Sequence, residues 1–171
     1  NSYIIFFVCM SLYFGAINAT KMPGGDQWQY WAAYMNVPHV GFIQSLIYIY
    51  GFDLGKEING ISGEFMNGVY NYIGYYITFG HYQLFAALLT FVEYMLIFLG
   101  FYKFCLSLKN PRVPIICGVL ILSFFYLFFQ YTLQIQKQFL AQAIIMYVLG
   151  NYAYKCKMNK KLWIMTICAV F

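Results

Sequence analysis

The sequence predicts an all-α protein, a polytopic transmembrane helical bundle whose outer-face segment contains amphipathic or re-entrant helices. Of 171 residues, 63% are hydrophobic and 9% charged, against roughly 25% charged residues in soluble domains. Long apolar runs recur along the chain, and most basic residues gather in short connections between them. The net charge of +5 would suit nucleic acid, but cations beside apolar runs are accounted for by orientation in a bilayer, so no nucleic-acid partner is expected.

The first apolar run covers about residues 2–19 and is followed by Thr20 and Lys21. A signal peptide is the alternative, because small residues close the run. No basic stretch precedes it and further spans follow, which favours an uncleaved membrane helix. Further spans are expected at about 82–102, 113–131 and 139–154, each approaching the roughly 17 to 25 residues that a spanning helix needs. A last run from Leu162 to Phe171 is too short to cross, and the chain opens at Asn1 without methionine. The whole therefore reads as a single membrane domain over residues 1–171, truncated at both ends.

Orientation follows from charge. Lys103, Lys109 and Arg112 stand in one connection and Lys155, Lys157, Lys160 and Lys161 in another, neither containing an acid. By the positive-inside rule both are cytoplasmic. Alternation then places the N-terminus inside and residues 20–81 and 131–138 outside. The long outer segment holds Asp26, Asp53, Glu57 and Glu64 against Lys21 and Lys56, a local charge of −2 that fits this orientation.

Two shorter apolar pieces, Val40 to Phe52 and Phe65 to Phe79, interrupt the outer segment. In the second, Phe65, Val69, Tyr72, Ile73, Tyr76 and Ile77 recur at helical spacing while Asn67 and Asn71 fall on another face. An amphipathic helix lying in the interface is expected; a re-entrant hairpin or a pair of short additional spans are the alternatives.

Several residues in this frame can carry chemistry. In GGDQWQYWAAYMN, Asp26 follows Pro23-Gly24-Gly25, where it can simply cap a helix running to Asn36. It can equally offer a carboxylate to sugar hydroxyls, with Trp28, Tyr30, Trp31 and Tyr34 as rings for stacking, although Trp and Tyr populate membrane interfaces in any case. Glu64 precedes the amphipathic helix, where the dipole favours an acid. Glu93 lies near the middle of an apolar span, where an ionisable group is expensive and points to function or to a partner on a neighbouring helix. Lys137 opens a span from an outer connection that carries no other charge. It can bind a diphosphate and stabilise it as a leaving group, or snorkel to the interface. The five cysteines show no CxxC or Cys/His spacing and His39 and His81 are far apart, so neither a disulfide framework, a metal site nor a cofactor is expected.

The order of these features resembles the N-terminal portion of the EpsG family, membrane proteins related in role to Wzy-type polysaccharide polymerases. GGDQWQYWAAY resembles the family's Asp-led region after the first span, and GEFMNGVYNYI its Glu-led segment. FGHYQLFAALLTFVEYMLIFLGFYK resembles the following span, and QIQKQFLAQAI an Arg-Gln-x-x-Ala signature. Lys137 stands where arginine is expected, which keeps the charge and loses the bidentate fork. The resemblance implies a glycosyltransferase-type enzyme that polymerises oligosaccharide repeats carried on undecaprenyl diphosphate into exopolysaccharide, capsule or O-antigen. It implies the outer face of a bacterial inner membrane, with membrane lipid and other polysaccharide assembly proteins as partners. Lys137 would then hold the diphosphate, Asp26 or Glu64 would orient the attacking hydroxyl, and Trp28, Tyr30, Trp31, Tyr34, His81 and Gln138 would contact sugar.

A transporter, flippase or accessory subunit for lipid-linked sugars is the competing expectation. Transporters place discontinuous helices near the midplane, often in repeated halves, and no internal repeat is visible. Glu93 gains weight under transport, whereas Lys137 and Asp26 gain weight under polymerisation.

Overall fold

The structure, a computed structural model, describes residues 2–21, 26–43, 65–124 and 136–170. Among these residues the chain forms seven α-helices, a short 3₁₀ turn at Val37–His39 and no strand. The helices are α1 (Ser2–Thr20), α2 (Asp26–Asn36), α3 (Phe65–Ile77), α4 (Tyr82–Leu106), α5 (Arg112–Phe124), α6 (Gln136–Lys155) and α7 (Lys160–Val170). By length and composition, α1 and α4 are long and apolar enough to cross a membrane.

The expected 82–102 span extends to Leu106, the start of the expected 139–154 span moves, and two other expected segments are described only in part. The described part of the expected 113–131 span is α5, which runs to Phe124, and residues 125–131 lie outside the described residues. Helix α6 starts three residues before the expected 139, which takes Gln136, Lys137 and Gln138 into its first turn. With Gln142, Asn151 and Lys155 also present, α6 is more polar than α1 or α4. Of the Val40–Phe52 piece, only residues 40–43 are described.

Helix α4 is the axis of the fold. Helix α1 runs antiparallel to it: Phe7 stacks on Phe98 at 5.2 Å between ring centroids, Phe14 on Tyr94 at 4.3 Å, and Asn18 Nδ2 donates to Thr90 Oγ1 at 2.7 Å. Such offset aromatic pairs add about 0.5–1.5 kcal/mol each beyond the area they bury. Gly15 permits this approach, because a Cβ there would lie 2.7 Å from the Ala87 carbonyl oxygen. On another side, α5 sets Ile115 and Val119 into a core with Tyr94, Phe98 and Cys105. Pro114 occupies the first turn of α5, where no intrahelical donor is lost.

Helix α6 runs parallel to α4. Phe139 meets Tyr94, Phe139 and Ala143 pack with Ile97, and Lys103 reaches Asn151, so positions advance together along both helices. The backbones almost touch where Gly100 faces Gly150; a Cβ on Gly100 would lie 2.5 Å from the Met146 carbonyl oxygen. Small residues of this kind let helices associate without a hydrophobic driving force in lipid. At the far end Asn159 Oδ1 accepts from the Leu162 N–H at 2.9 Å, an N-cap that starts α7.

Helix α3 turns back into α4 through Thr78–His81. Phe79 and Gly80 take positive φ (52° and 77°), and the Gly80 N–H returns to the Tyr75 carbonyl at 2.9 Å. This is a left-handed helix end of the kind glycine favours. On α3, Asn71 is buried while Ile73, Tyr76 and Ile77 are exposed.

Replacing Gly100 with valine should drive side-chain atoms into the α6 backbone, which cannot rotate away. A loss of about 1–3 kcal/mol or more is expected, read as a lower midpoint of thermal unfolding in detergent micelles. An unchanged midpoint would mean that the α4–α6 seam is open.

Candidate functional site

The candidate site lies where α2, α3 and the N-terminal ends of α4 and α6 meet. Because α1 runs antiparallel to α4 while α6 runs parallel to it, the C-terminus of α1 and the N-termini of α4 and α6 point to one end. A buried cluster of Tyr34, Tyr82, Phe85, Ala86 and Leu89 binds that end together, with Trp31, Tyr70, Tyr75 and Leu140 against it. Leu140, in the second turn of α6, packs against the same cluster.

Tyr34 is the pin of this cluster. It is fully buried, its ring stacks on Phe85 at 4.9 Å, and its hydroxyl bonds to Thr78 Oγ1. Thr78 already donates to the Gly74 carbonyl at 2.7 Å, so the phenol is the donor in the shared bond. Burial pushes the Tyr34 phenol above its ordinary value; the Thr78 bond opposes that shift and neighbouring Tyr75 adds to it. The phenol is therefore neutral, as a donor must be. Gly74 makes the packing possible, since a Cβ there would overlap the Phe85 ring.

The four aromatics of α2 thus divide. Tyr30 and Tyr34, one turn apart on the same face, are both buried, which corrects the expectation that they stack on sugar. Trp28 is 57% exposed and stacks on half-buried Trp31 at 4.7 Å with 30° between planes. This indole pair, braced from behind by Trp31, is the aromatic surface left for a ligand. His81 is exposed at the N-cap position of α4 without capping through its side chain, and Gln138 is exposed on the first turn of α6. Glu64 and the side chains of Asp26 and Lys137 lie outside the described residues; the backbones of Asp26 and Lys137 open α2 and α6.

Glu93 stands apart from this end. It is completely buried near the middle of α4, and among the described residues neither carboxyl oxygen has a hydrogen-bond partner. The hydroxyls of Ser11 and Ser123 are also buried and unpartnered. Thr78 and the Asn18–Thr90 pair escape sequence reasoning altogether, because each bond joins residues at least 44 positions apart. Among the described residues, no group of three or more His, Cys, Asp or Glu side chains could hold a metal ion.

Among the described residues, fold and site together define an all-helical protein with two helices long and apolar enough to cross a membrane and an aromatic cluster at one end. Compared with family models, curated proteins and solved structures, the chain finds no match.

Tyr34→Phe should remove the donor to Thr78 while leaving the ring stack, for a cost of about 1 kcal/mol. Denaturation followed through the fluorescence of the three tryptophans measures it; a variant as stable as the parent would show that the bond adds nothing net.

Proposed function

We propose that the chain belongs to a membrane-embedded polymerase that joins lipid-linked oligosaccharide repeats at the outer face of a bacterial inner membrane. The observation that carries this reading is the exposed Trp28–Trp31 pair on α2, with Trp31 packed on the same buried cluster as Leu140 of α6, three residues after Lys137 in the chain. That cluster lies at the end opposite the basic connections, as an outer-face site requires under the positive-inside rule. Exposed apolar residues along the bundle support the membrane setting: Ile5 and Leu12 on α1, Leu88 and Val92 on α4, and Ile116 and Ile121 on α5. Apolar surface of that extent is covered by lipid or protein.

In this reaction a hydroxyl of the incoming repeat attacks the anomeric carbon of the growing chain. The bond from that carbon to the diphosphate oxygen breaks, and its electron pair leaves on undecaprenyl diphosphate. Lys137 would neutralise the departing charge. Asp26 or Glu64 would accept the hydroxyl proton, and the indole pair would hold a sugar ring by its apolar face. Other polysaccharide assembly proteins would supply and receive the chains.

Transport of lipid-linked sugars is a second reading, favoured by one observation: the buried, unpartnered Glu93 in a helix fit to span a membrane. Unpaired ionisable groups at that depth mark ion and substrate paths in transporters.

Lys137→Ala in the longer protein in its own host should leave single repeats on the lipid, with polymerisation slowed about 10²-fold, whereas Lys137→Arg should support long chains. Polymer length on a gel reads the result, and normal polymer from both variants at normal protein levels would overturn the reading. Glu93→Gln separates the two functions. The amide keeps the shape, so the protein should accumulate normally and make full-length polymer; loss of lipid-linked sugar export with intact accumulation would instead establish transport.

A further inference from the structure

The end of the molecule opposite the candidate site carries a concentration of charge that polymerisation does not use. Seven of the ten Lys and Arg residues lie in residues 103–112 and 155–161, and no acid accompanies them. The fold brings these two connections together, because α4 and α6 are parallel and end side by side.

Lys103 sits at their junction, half-buried. Its Nζ donates to Asn151 Oδ1 at 2.6 Å, lies 3.5 Å from the Tyr147 hydroxyl and stands 4.8 Å from the centre of the Tyr147 ring. The arrangement is built: Asn151 is buried, and its own Nδ2 donates to the Tyr147 carbonyl at 2.7 Å, which aims its oxygen at the ammonium. Every one of these partners is neutral. The only acids among the described residues are Asp26, on α2 at the other end, and Glu93, ten positions earlier on α4, or about 15 Å along the helix at 1.5 Å per residue. A lysine has three donors, and among the described residues this one is held without a counter-charge.

The surroundings decide what anion fits. Lys109, Arg112, Lys155, Lys157, Lys160 and Lys161 are all exposed. Large exposed apolar side chains stand among them: Phe104, Leu108, Val113 and Trp163. Nucleic acid would bring phosphate but nothing to cover those side chains, whereas a phospholipid brings both an anionic headgroup and acyl chains.

We propose that this end is a binding site for the headgroup of an anionic phospholipid, with its phosphate between the α4–α5 and α6–α7 connections and Lys103 as its half-buried seat. The site requires the membrane placement of α1 and α4 and the inner position of the basic connections. It does not require polymerase chemistry, so a chain that bound the lipid but made no polymer would retain it.

The test is lipid retention by the full chain in a zwitterionic detergent, read by native mass spectrometry with phosphatidylglycerol and phosphatidylcholine offered together. Phosphatidylglycerol should be retained preferentially, and Lys103→Gln should lower that preference about fivefold, the factor expected for one cation near an anionic surface. Should Lys103→Gln fail to fold, the combined exposed changes Lys157→Gln, Lys160→Gln and Lys161→Gln carry the test, again by lowering the preference. Equal retention of the two lipids, or a preference that survives in every folded variant, would overturn the site. Displacement of phosphatidylglycerol by millimolar inorganic phosphate would also overturn it, by making free phosphate the ligand.

Discussion

The architecture depends on how closely other helices can approach α4. In hydrocarbon an apolar side chain gains nothing by leaving lipid for protein, so association must come from dense packing and from polar groups with no better partner. Both are present around α4. Glycines at positions 15, 100 and 150 remove the side chains that would hold the backbones apart. Stacked rings fill the α1 seam, and the Asn18–Thr90 hydrogen bond ties the C-terminal end of α1 to α4. Because α1 and α6 run in opposite directions along the same axis, the directions of these seams also decide which helix ends share a face of the molecule.

That distribution separates two environments. At one end, the short helices α2 and α3 fold against the beginning of α4, with Tyr34 and Thr78 joined beneath an exposed indole pair. The left-handed turn at Phe79 and Gly80 makes this possible by reversing the chain within a few residues. At the other end lie cations without acids, seated partly on Asn151 and Tyr147. A ligand surface built on aromatic rings and one built on ammonium groups suit different chemistry. The two lie at opposite ends of α4.

Much of this organisation is legible from the residues alone. The start and end of α2 and the extent of α3 follow from the turn residues before Asp26 and from the helical spacing of Phe65 to Ile77. The bounds of α1 and the start of α4 follow from apolar run length. The start of α6 was less legible, because Gln136, Lys137 and Gln138 look like a polar connection while having good helix propensity. Division of the α2 rings was also hidden: Trp28, Tyr30, Trp31 and Tyr34 are chemically alike, and only the position of Phe85 and Thr78 behind them makes Tyr34 a core residue and Trp28 a surface one.

The sequence by itself determined that the chain is helical and rich in lipid-compatible surface, and that its positive charge is concentrated in two connections. These properties are local, set by composition, period and run length, and survive any packing of the helices. Only the tertiary structure decided that α6 is parallel to α4, that Lys103 rests on Asn151 rather than on an acid, and that Glu93 is buried without a partner among the described residues. Each of those is a relation between residues distant along the chain, created when helix backbones close to within contact, and periodicity within one helix contains no information about which face of another it will meet.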